Sequence, residues 1–286
     1  MTSTFTVAVL GAGTMGRGIA QNAAASGCAV RLFDTSAEAV QAGRDAIDGA
    51  LAKLVEKGKV PGREADLILA RIEPSTDRSA CLKDADVVVE AAPEKLALKR
   101  TLFEALARDA SPRALLGTNT SSLSISKIAE GCGAEDRVVG LHFFNPVPVM
   151  TLLEVVRGAR TSEDTLARAL EFGRKLGKDP IVVRDSPGFA TSRLGVLLGL
   201  EAMRMLEQGV ASAGDIDKAM ELGYRHPMGP LKLTDLVGLD VRLQIAEHLH
   251  TELKSAAFEP PQILRDMVAA GKLGRKSGQG FYRYDP

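Results

Sequence analysis

Short runs dense in apolar and β-branched residues recur up to about residue 184: TVAVL, AVRLF, DVVVEA, ALLGT, RVVGLHFF, LLEVV and PIVVR. Between them, apolar residues return at three- and four-residue steps. The first kind of run predicts strands and the second helices, and their alternation predicts a mostly parallel sheet covered by helices on both faces. Beyond Asp185 the strand pattern stops. From Phe189 to Gly209 the apolar positions Leu194, Leu197, Leu198, Met205 and Leu206 recur at helical steps, and later segments again read as helices divided by Gly and Pro. An all-helical second domain is expected, with its seam at Ser186 to Gly188, where proline and glycine halt the strand before a helix starts. The expected division is 1–185 and 186–286.

The first strand runs directly into Gly11-x-Gly13-x-x-Gly16, and a helix starts at Thr14 and Met15. This strand, glycine turn and helix form the context that makes GxGxxG a dinucleotide signature of the Rossmann type. Gly11 permits the tight turn, Gly13 lets the backbone approach a pyrophosphate, and Gly16 lets helix and strand pack closely. Thr14 and Met15 belong to the helix N-terminus, whose free N–H groups and dipole favour phosphate. The second strand ends at Asp34, 18 residues after Gly16, where a carboxylate accepts hydrogen bonds from the ribose hydroxyls. A 2′-phosphate there would meet a like charge, and Thr35 and Ser36 offer no arginine, so the expected cofactor is NAD rather than NADP.

Residues 36 to 72 read as a helical hairpin inserted before the chain returns to the sheet. Val40, Ile47, Leu51 and Leu54 mark one face, Gly58, Pro61 and Gly62 the turn, and Leu67 to Ile72 the return. Lys53, Lys57, Lys59 and Arg63 cluster near the tip. A solvated helix face is one reading of them, and a cationic handle for a phosphorylated substrate is the other.

In GLHFFNPVPVMTLLEVV two apolar runs flank a turn with two prolines, and each carries one polar residue. A hairpin centred on Pro148 pairs His142 with Glu154. A carboxylate beside an imidazole holds one ring nitrogen protonated and leaves the other as a general base. With NAD nearby, its natural use is alcohol oxidation, His142 taking the hydroxyl proton as hydride leaves the carbinol carbon. A buried histidine satisfied by a structural glutamate is the competing reading. Asn119 to Ser122 follow the run ALLG and stand at the exit of a parallel strand, where ligands bind in such sheets. These hydroxyls either cap the helix beginning near Ile125 or donate to a substrate oxygen.

Composition removes several other classes. The chain has 286 residues, 45% hydrophobic and 25% charged, with zero net charge, which leaves no electrostatic case for nucleic acid or an anionic membrane as main partner. Its three cysteines, Cys28, Cys81 and Cys132, form no CxxC, and neither a disulfide framework nor a metal site is indicated. MTSTFTVAVLGAG lacks the pattern of a signal peptide, and LGVLLGL is too short to span a bilayer. A cytoplasmic protein with reduced thiols is expected.

GAGTMGRGIA, the helical insertion, VVVEAAPEKLALK, TNTSSLSI, HFFNPVPVMTLLEVV, DSPGFATSRL, HPMGPLKLTDLVGLD and GRKSGQGFY occur in this order over essentially the full chain. Together they resemble the L-3-hydroxyacyl-CoA dehydrogenase family, including 3-hydroxybutyryl-CoA dehydrogenases. The resemblance implies that His142 is the catalytic base, Glu154 orients it and Ser121 binds the substrate oxygen. It implies that Asn145 contacts the nicotinamide end of NAD and that Glu94, Lys99 and Lys276 are further NAD contacts. Lys57, with Lys53 nearby, resembles a coenzyme A contact, and the helical domain of the family mediates a homodimer. One departure stands out. The family usually has an asparagine before the arginine after its SPGF element, beside the catalytic histidine, and Ser192 occupies that place here. Serine is shorter and lacks the amide's two donors, so altered activity is expected. A dehydrogenase of a free 3-hydroxy acid or sugar acid, like the gulonate-oxidising relatives, and a non-catalytic NAD-binding protein are the alternative readings.

Overall fold

A computed structural model describes residues 5–284, so Met1 to Thr4, part of the stretch read as lacking a leader, lie outside the described residues. The chain forms two compact units, Met1–Ser186 and Pro187–Pro286.

The first unit is built on eight strands: β1 (Thr6–Leu10), β2 (Ala29–Phe33), β3 (Ile72–Ser75), β4 (Val87–Glu90), β5 (Leu115–Thr118), β6 (Val138–Phe143), β7 (Leu152–Arg157) and β8 (Asp179–Arg184). Their order in the sheet is β3-β2-β1-β4-β5-β6-β7-β8. Strands β1 to β6 run parallel, β7 runs against β6, and β8 is parallel to β7. Every residue of β4, β5 and β6 is buried, which explains the continuous apolar runs: central parallel strands are covered on both faces and need no polar alternation. The covering helices are α1 (Thr14–Ala25), α2 (Ala37–Glu56), α3 (Gly62–Ala70), α4 (Arg78–Leu82), α5 (Leu96–Asp109), α6 (Ile125–Ala129) and α7 (Glu163–Lys175).

The helical insertion is present as α2 and α3, with Val40, Ile47 and Leu51 buried and Leu54 packed against them. Its expected return to Ile72 needs correction. Helix α3 ends at Ala70, and Ile72 opens β3, paired with Val30. IEPS has one apolar residue and a proline, and so carries no strand pattern. At the sheet edge Pro74 is tolerated, because a proline there withholds no ladder hydrogen bond from a second neighbour.

The second unit contains α8 (Thr191–Glu207), α9 (Ala213–Lys218), α10 (Pro230–Val237), α11 (Leu239–Leu253) and α12 (Gln262–Ala269), with two isolated bridges near Gln279. Its core gathers Val196, Leu200 and Met203 from α8 with Leu231, Leu239, Leu249 and Leu264. The apolar stripe expected on α8 is only partly the buried one. Leu197, Met205 and Leu206 pack against the core, but Leu194 is 62% exposed and Leu198 43%. Helix α8 is apolar nearly all round, and periodicity cannot say which side such a helix buries.

Candidate active site

The glycine turn is a main-chain construction. Gly11 has φ +109°, and a Cβ on it would stand 2.7 Å from the Ala91 carbonyl oxygen. A Cβ on Gly16 would stand 1.7 Å from the carbonyl oxygen of Gly11, an overlap no backbone adjustment of a few tenths of an ångström relieves. Gly13 is different: nothing lies within 4 Å of the Cβ it lacks. Gly13 is also the N-cap of α1 without a side-chain cap, so first-turn N–H groups remain for a ligand. From behind, α2 presses Gly43 on the turn, where a Cβ would stand 2.8 Å from the Ala12 oxygen.

Asp34, at the end of β2, accepts from the Ala12 N–H through Oδ2 at 2.9 Å and from the Thr35 N–H through Oδ1 at 2.8 Å. Each oxygen keeps a lone pair for a ribose hydroxyl. Gly11, Gly13, Thr14, Met15, Asp34 and Ala91 line a cavity of about 650 Å³. Open space over Gly13, uncapped N–H groups and a carboxylate at the far rim fit an adenine dinucleotide without a 2′-phosphate.

His142 in β6 and Glu154 in β7 are direct cross-strand partners. Nδ1 of His142 lies 2.6 Å from Oε2 of Glu154; His142 is 7% exposed and Glu154 fully buried. A carboxylate only accepts, so Nδ1 carries the shared proton and Nε2 is the basic nitrogen of the ring. The Phe144 ring sits 4.5 Å from the imidazole, centroid to centroid, and narrows the ring's freedom further.

The loop after β5 is held from below by two carboxylates. Glu90, fully buried at the end of β4, accepts from Thr118 Oγ1 and Lys99 Nζ, both at 2.7 Å. Lys99 is 1% exposed and also lies 3.5 Å from Glu94 Oε2. Its ammonium therefore faces carboxylates, and it reaches the site by steadying Glu94. Glu94 Oε1 accepts from Thr120 Oγ1 and from the N–H groups of Ser121 and Ser122. Burial pushes the Glu94 carboxyl up, but the Thr120 hydroxyl, the Lys99 ammonium, the Ser121 amide and the Ser122 hydroxyl outweigh it and hold the group below the ordinary glutamate range. The helix cap considered for these hydroxyls belongs to Ser124, whose Oγ accepts from Lys127 N–H. Among the described residues the Ser121 hydroxyl has no hydrogen-bond partner. Asn119 accepts from the Phe143 N–H at 3.0 Å, tying this loop to the strand of His142.

Asn145 is exposed in the connection between β6 and β7. Lys53 and Lys57 are exposed near the end of α2, and neither forms an ion pair among the described residues. In the second unit Ser192 occupies the first turn of α8, and Lys276 pairs with Asp240 at 2.5 Å. Sequence reasoning missed Glu90 and Gly43, and it left Thr120 as one of several hydroxyls without its partner Glu94. A lone carboxylate closing an apolar strand and a lone glycine inside a helical pattern were the only local signals of the first two.

Fold and site together define an NAD-dependent dehydrogenase: a dinucleotide turn and a buried histidine–carboxylate pair carried by one sheet. The family described as 3-hydroxyacyl-CoA dehydrogenase, NAD binding domain, matches residues 6–186, and its C-terminal domain matches 188–284. The chain belongs to the 3-hydroxyacyl-CoA dehydrogenase family. It is 45% identical to the 3-hydroxybutyryl-CoA dehydrogenase of Mycobacterium tuberculosis, over 97% of this chain and 98% of that protein. It is 41% identical to the mitochondrial hydroxyacyl-coenzyme A dehydrogenase of Sus scrofa, over 97% of this chain and 90% of the other. The crystal structure of (S)-3-hydroxybutyryl-CoA dehydrogenase from Ralstonia eutropha superposes with a TM-score of 0.95 at 43% identity, covering 99% of this chain and all, 100%, of that one.

Proposed function

We propose that this dehydrogenase oxidises short-chain L-3-hydroxyacyl-CoA thioesters, 3-hydroxybutyryl-CoA among them, reversibly to 3-oxoacyl-CoA. The buried His142–Glu154 contact of 2.6 Å carries the reading, and the names of the relatives supply the substrate class. Bound at the glycine turn, NAD supplies the acceptor for the hydride that leaves the carbinol carbon. His142 Nε2 takes the hydroxyl proton, and Glu154 stabilises the imidazolium that results. Ser121 donates its hydroxyl to the same substrate oxygen. Asn145 orients the nicotinamide end, Glu94 contacts the cofactor with Lys99 behind it, and Asn119 fixes the loop. Lys276 is a further cofactor contact, and Lys53 and Lys57 meet the phosphates of coenzyme A.

The domains of this reading are 1–185, which holds the cofactor, and 186–286, through which two copies pair. The exposed Leu194 and Leu198 support the pairing, because large apolar side chains on an otherwise packed helix mark a surface that a partner covers. No helix among the described residues is long and apolar enough to cross a membrane. Three free cysteines, all buried, favour the cytoplasm.

Oxidation of NADH dependent on acetoacetyl-CoA is the deciding assay, and turnover is expected with NADH and not with NADPH. Turnover of a free 3-hydroxy acid with none of acetoacetyl-CoA would select the free-acid reading, and NADH binding without turnover of either would select a non-catalytic protein. Ser192→Asn is expected to change the catalytic rate or the substrate profile, and identical kinetics would remove position 192 from the site.

A further inference from the structure

Where the chain enters β8, a buried lysine serves neither the glycine turn nor the histidine pair. Lys178 is 8% exposed. Its Nζ donates to the Val147 carbonyl at 2.5 Å and to the Met150 carbonyl at 2.9 Å. Among the described residues no carboxylate pairs with it. Burial alone pushes its ammonium below the ordinary lysine range. A buried cation without a counter-ion costs several kcal/mol unless its donors are satisfied, and here two main-chain oxygens take the place of a carboxylate.

Both oxygens belong to the connection between β6 and β7, the segment that carries Asn145. Within it the Pro146 oxygen accepts from the N–H groups of Val149 at 2.9 Å and Met150 at 3.0 Å, which turns the chain back. Val147 is 1% exposed and rests on α1, where a Cβ on Gly18 would stand 3.1 Å from its Cβ. Asp179 N–H reaches the Thr151 oxygen at 2.8 Å. The connection is thus gripped by the dinucleotide helix on one side and by the start of β8 on the other, with the ammonium between two of its carbonyls.

We propose that Lys178 is a positioning residue for the dehydrogenation: by drawing the Val147 and Met150 carbonyls onto one ammonium, it sets the loop that carries Asn145 and closes the His142 and Glu154 strands. The inference rests on the proposed function for what the loop positions, while the effect on the loop itself is independent of substrate. An ammonium suits the task because its donors radiate from one point toward two separate carbonyls, whereas a guanidinium presents its donors as a planar fork. A misplacement near 1 Å in a reacting group costs about a hundredfold in rate, so a loosened loop lowers the chemical step more than it lowers binding.

The test compares the full-length protein with Lys178→Met, which keeps the length and removes the donors, and Lys178→Gln, which keeps two donors without the charge. Amide hydrogen exchange over 144–151 is expected to become about tenfold faster in Lys178→Met while β1 and β4 exchange as before. NADH affinity and the KM for acetoacetyl-CoA stay within about threefold, kcat falls about 30-fold, and the isotope effect with deuterated NADH rises as hydride transfer becomes limiting. Lys178→Gln lies between the two. Unchanged exchange in the loop, or unchanged kcat with only a lower Tm, overturns the proposal, as does equal acceleration of exchange through β1, β4 and β5. If Lys178→Met does not fold, Lys178→Gln is read by the same criteria. A wild-type protein inactive on acetoacetyl-CoA overturns the proposed substrate instead, and exchange in the loop then decides the role of Lys178.

Discussion

The two halves of the site are made of different material. The turn between β1 and α1 is almost entirely backbone: Gly11 and Gly16 are required by main-chain contacts of 2.7 and 1.7 Å, while Gly13 keeps a space open. The β6–β7 hairpin rests on buried polar side chains, His142 and Glu154 within it and Lys178 at the entry to β8, each satisfied by a group far from it in the chain or across a strand. A backbone site is specified by a few consecutive residues and tolerates nothing larger in them. A side-chain site keeps its fold through many substitutions and loses its chemistry through small ones. Binding of the cofactor and transfer of the proton are therefore expected to separate under mutation.

His142→Ala sets the largest separation. Steady-state turnover should fall about a thousandfold, the range for a removed general base, while NADH titration shows affinity nearly intact. Full residual turnover would falsify the base assignment. Glu154→Gln should lower kcat about a hundredfold, with the ring no longer held by an anion, and an unchanged kcat would show that burial alone fixes the imidazole.

On the turn side the contrast lies between two glycines. Gly16→Ala should fold poorly and bind no NADH in thermal-shift and fluorescence titrations, since its Cβ meets main chain. Gly13→Ala should melt with the wild type yet bind NADH about tenfold more weakly, about 1.4 kcal/mol for a methyl group placed against the pyrophosphate. Equal effects at both positions would break the distinction between a glycine that folds the turn and one that admits the ligand.

Glu94 holds the loop after β5 and titrates. Its folded pKa is lowered, so its contribution to stability is complete above the ordinary glutamate value of about 4.3 and is lost as pH falls through the lower folded value. The Tm difference between wild type and Glu94→Gln should stay constant from about pH 8 to 5 and shrink below about pH 4; a difference that grows on acidification would reverse the assignment. The smallest effect belongs to the exposed insertion tip. Changing Lys53 and Lys57 together to Ala should raise the KM for acetoacetyl-CoA a few-fold at low salt, and the increase should fade as salt screens it.

Local pattern carried much of the architecture. Seven of the eight strands appear as apolar runs, and the glycine turn with Asp34 is legible because it is contiguous and its spacing is enforced by sterics. The pairing of His142 with Glu154 was also legible, since a hairpin fixes partners by counting from its turn. Strand β3 was not, because an edge strand holding Pro74 has no hydrophobic signature of its own. Helix α8 shows a second limit: its apolar residues were visible, but the choice of Val196, Leu200 and Met203 as the buried side depends on which helices pack there.

By itself, then, the sequence determined the strand and helix periods, the dinucleotide turn, the carboxylate of Asp34 at the end of β2, and the cross-strand register of His142 and Glu154. These follow from interactions between neighbours or across one turn. Only the tertiary structure decided that Lys99 stands on Glu90 and Glu94, that Glu94 holds the amides of Ser121 and Ser122, and that Lys178 grips a loop some 30 residues away, 31 to Val147 and 28 to Met150. A charged side chain carries no mark of its partner in the sequence around it. The partner is chosen when burial removes water and leaves each ammonium and carboxylate only the donors and acceptors that the fold brings within reach.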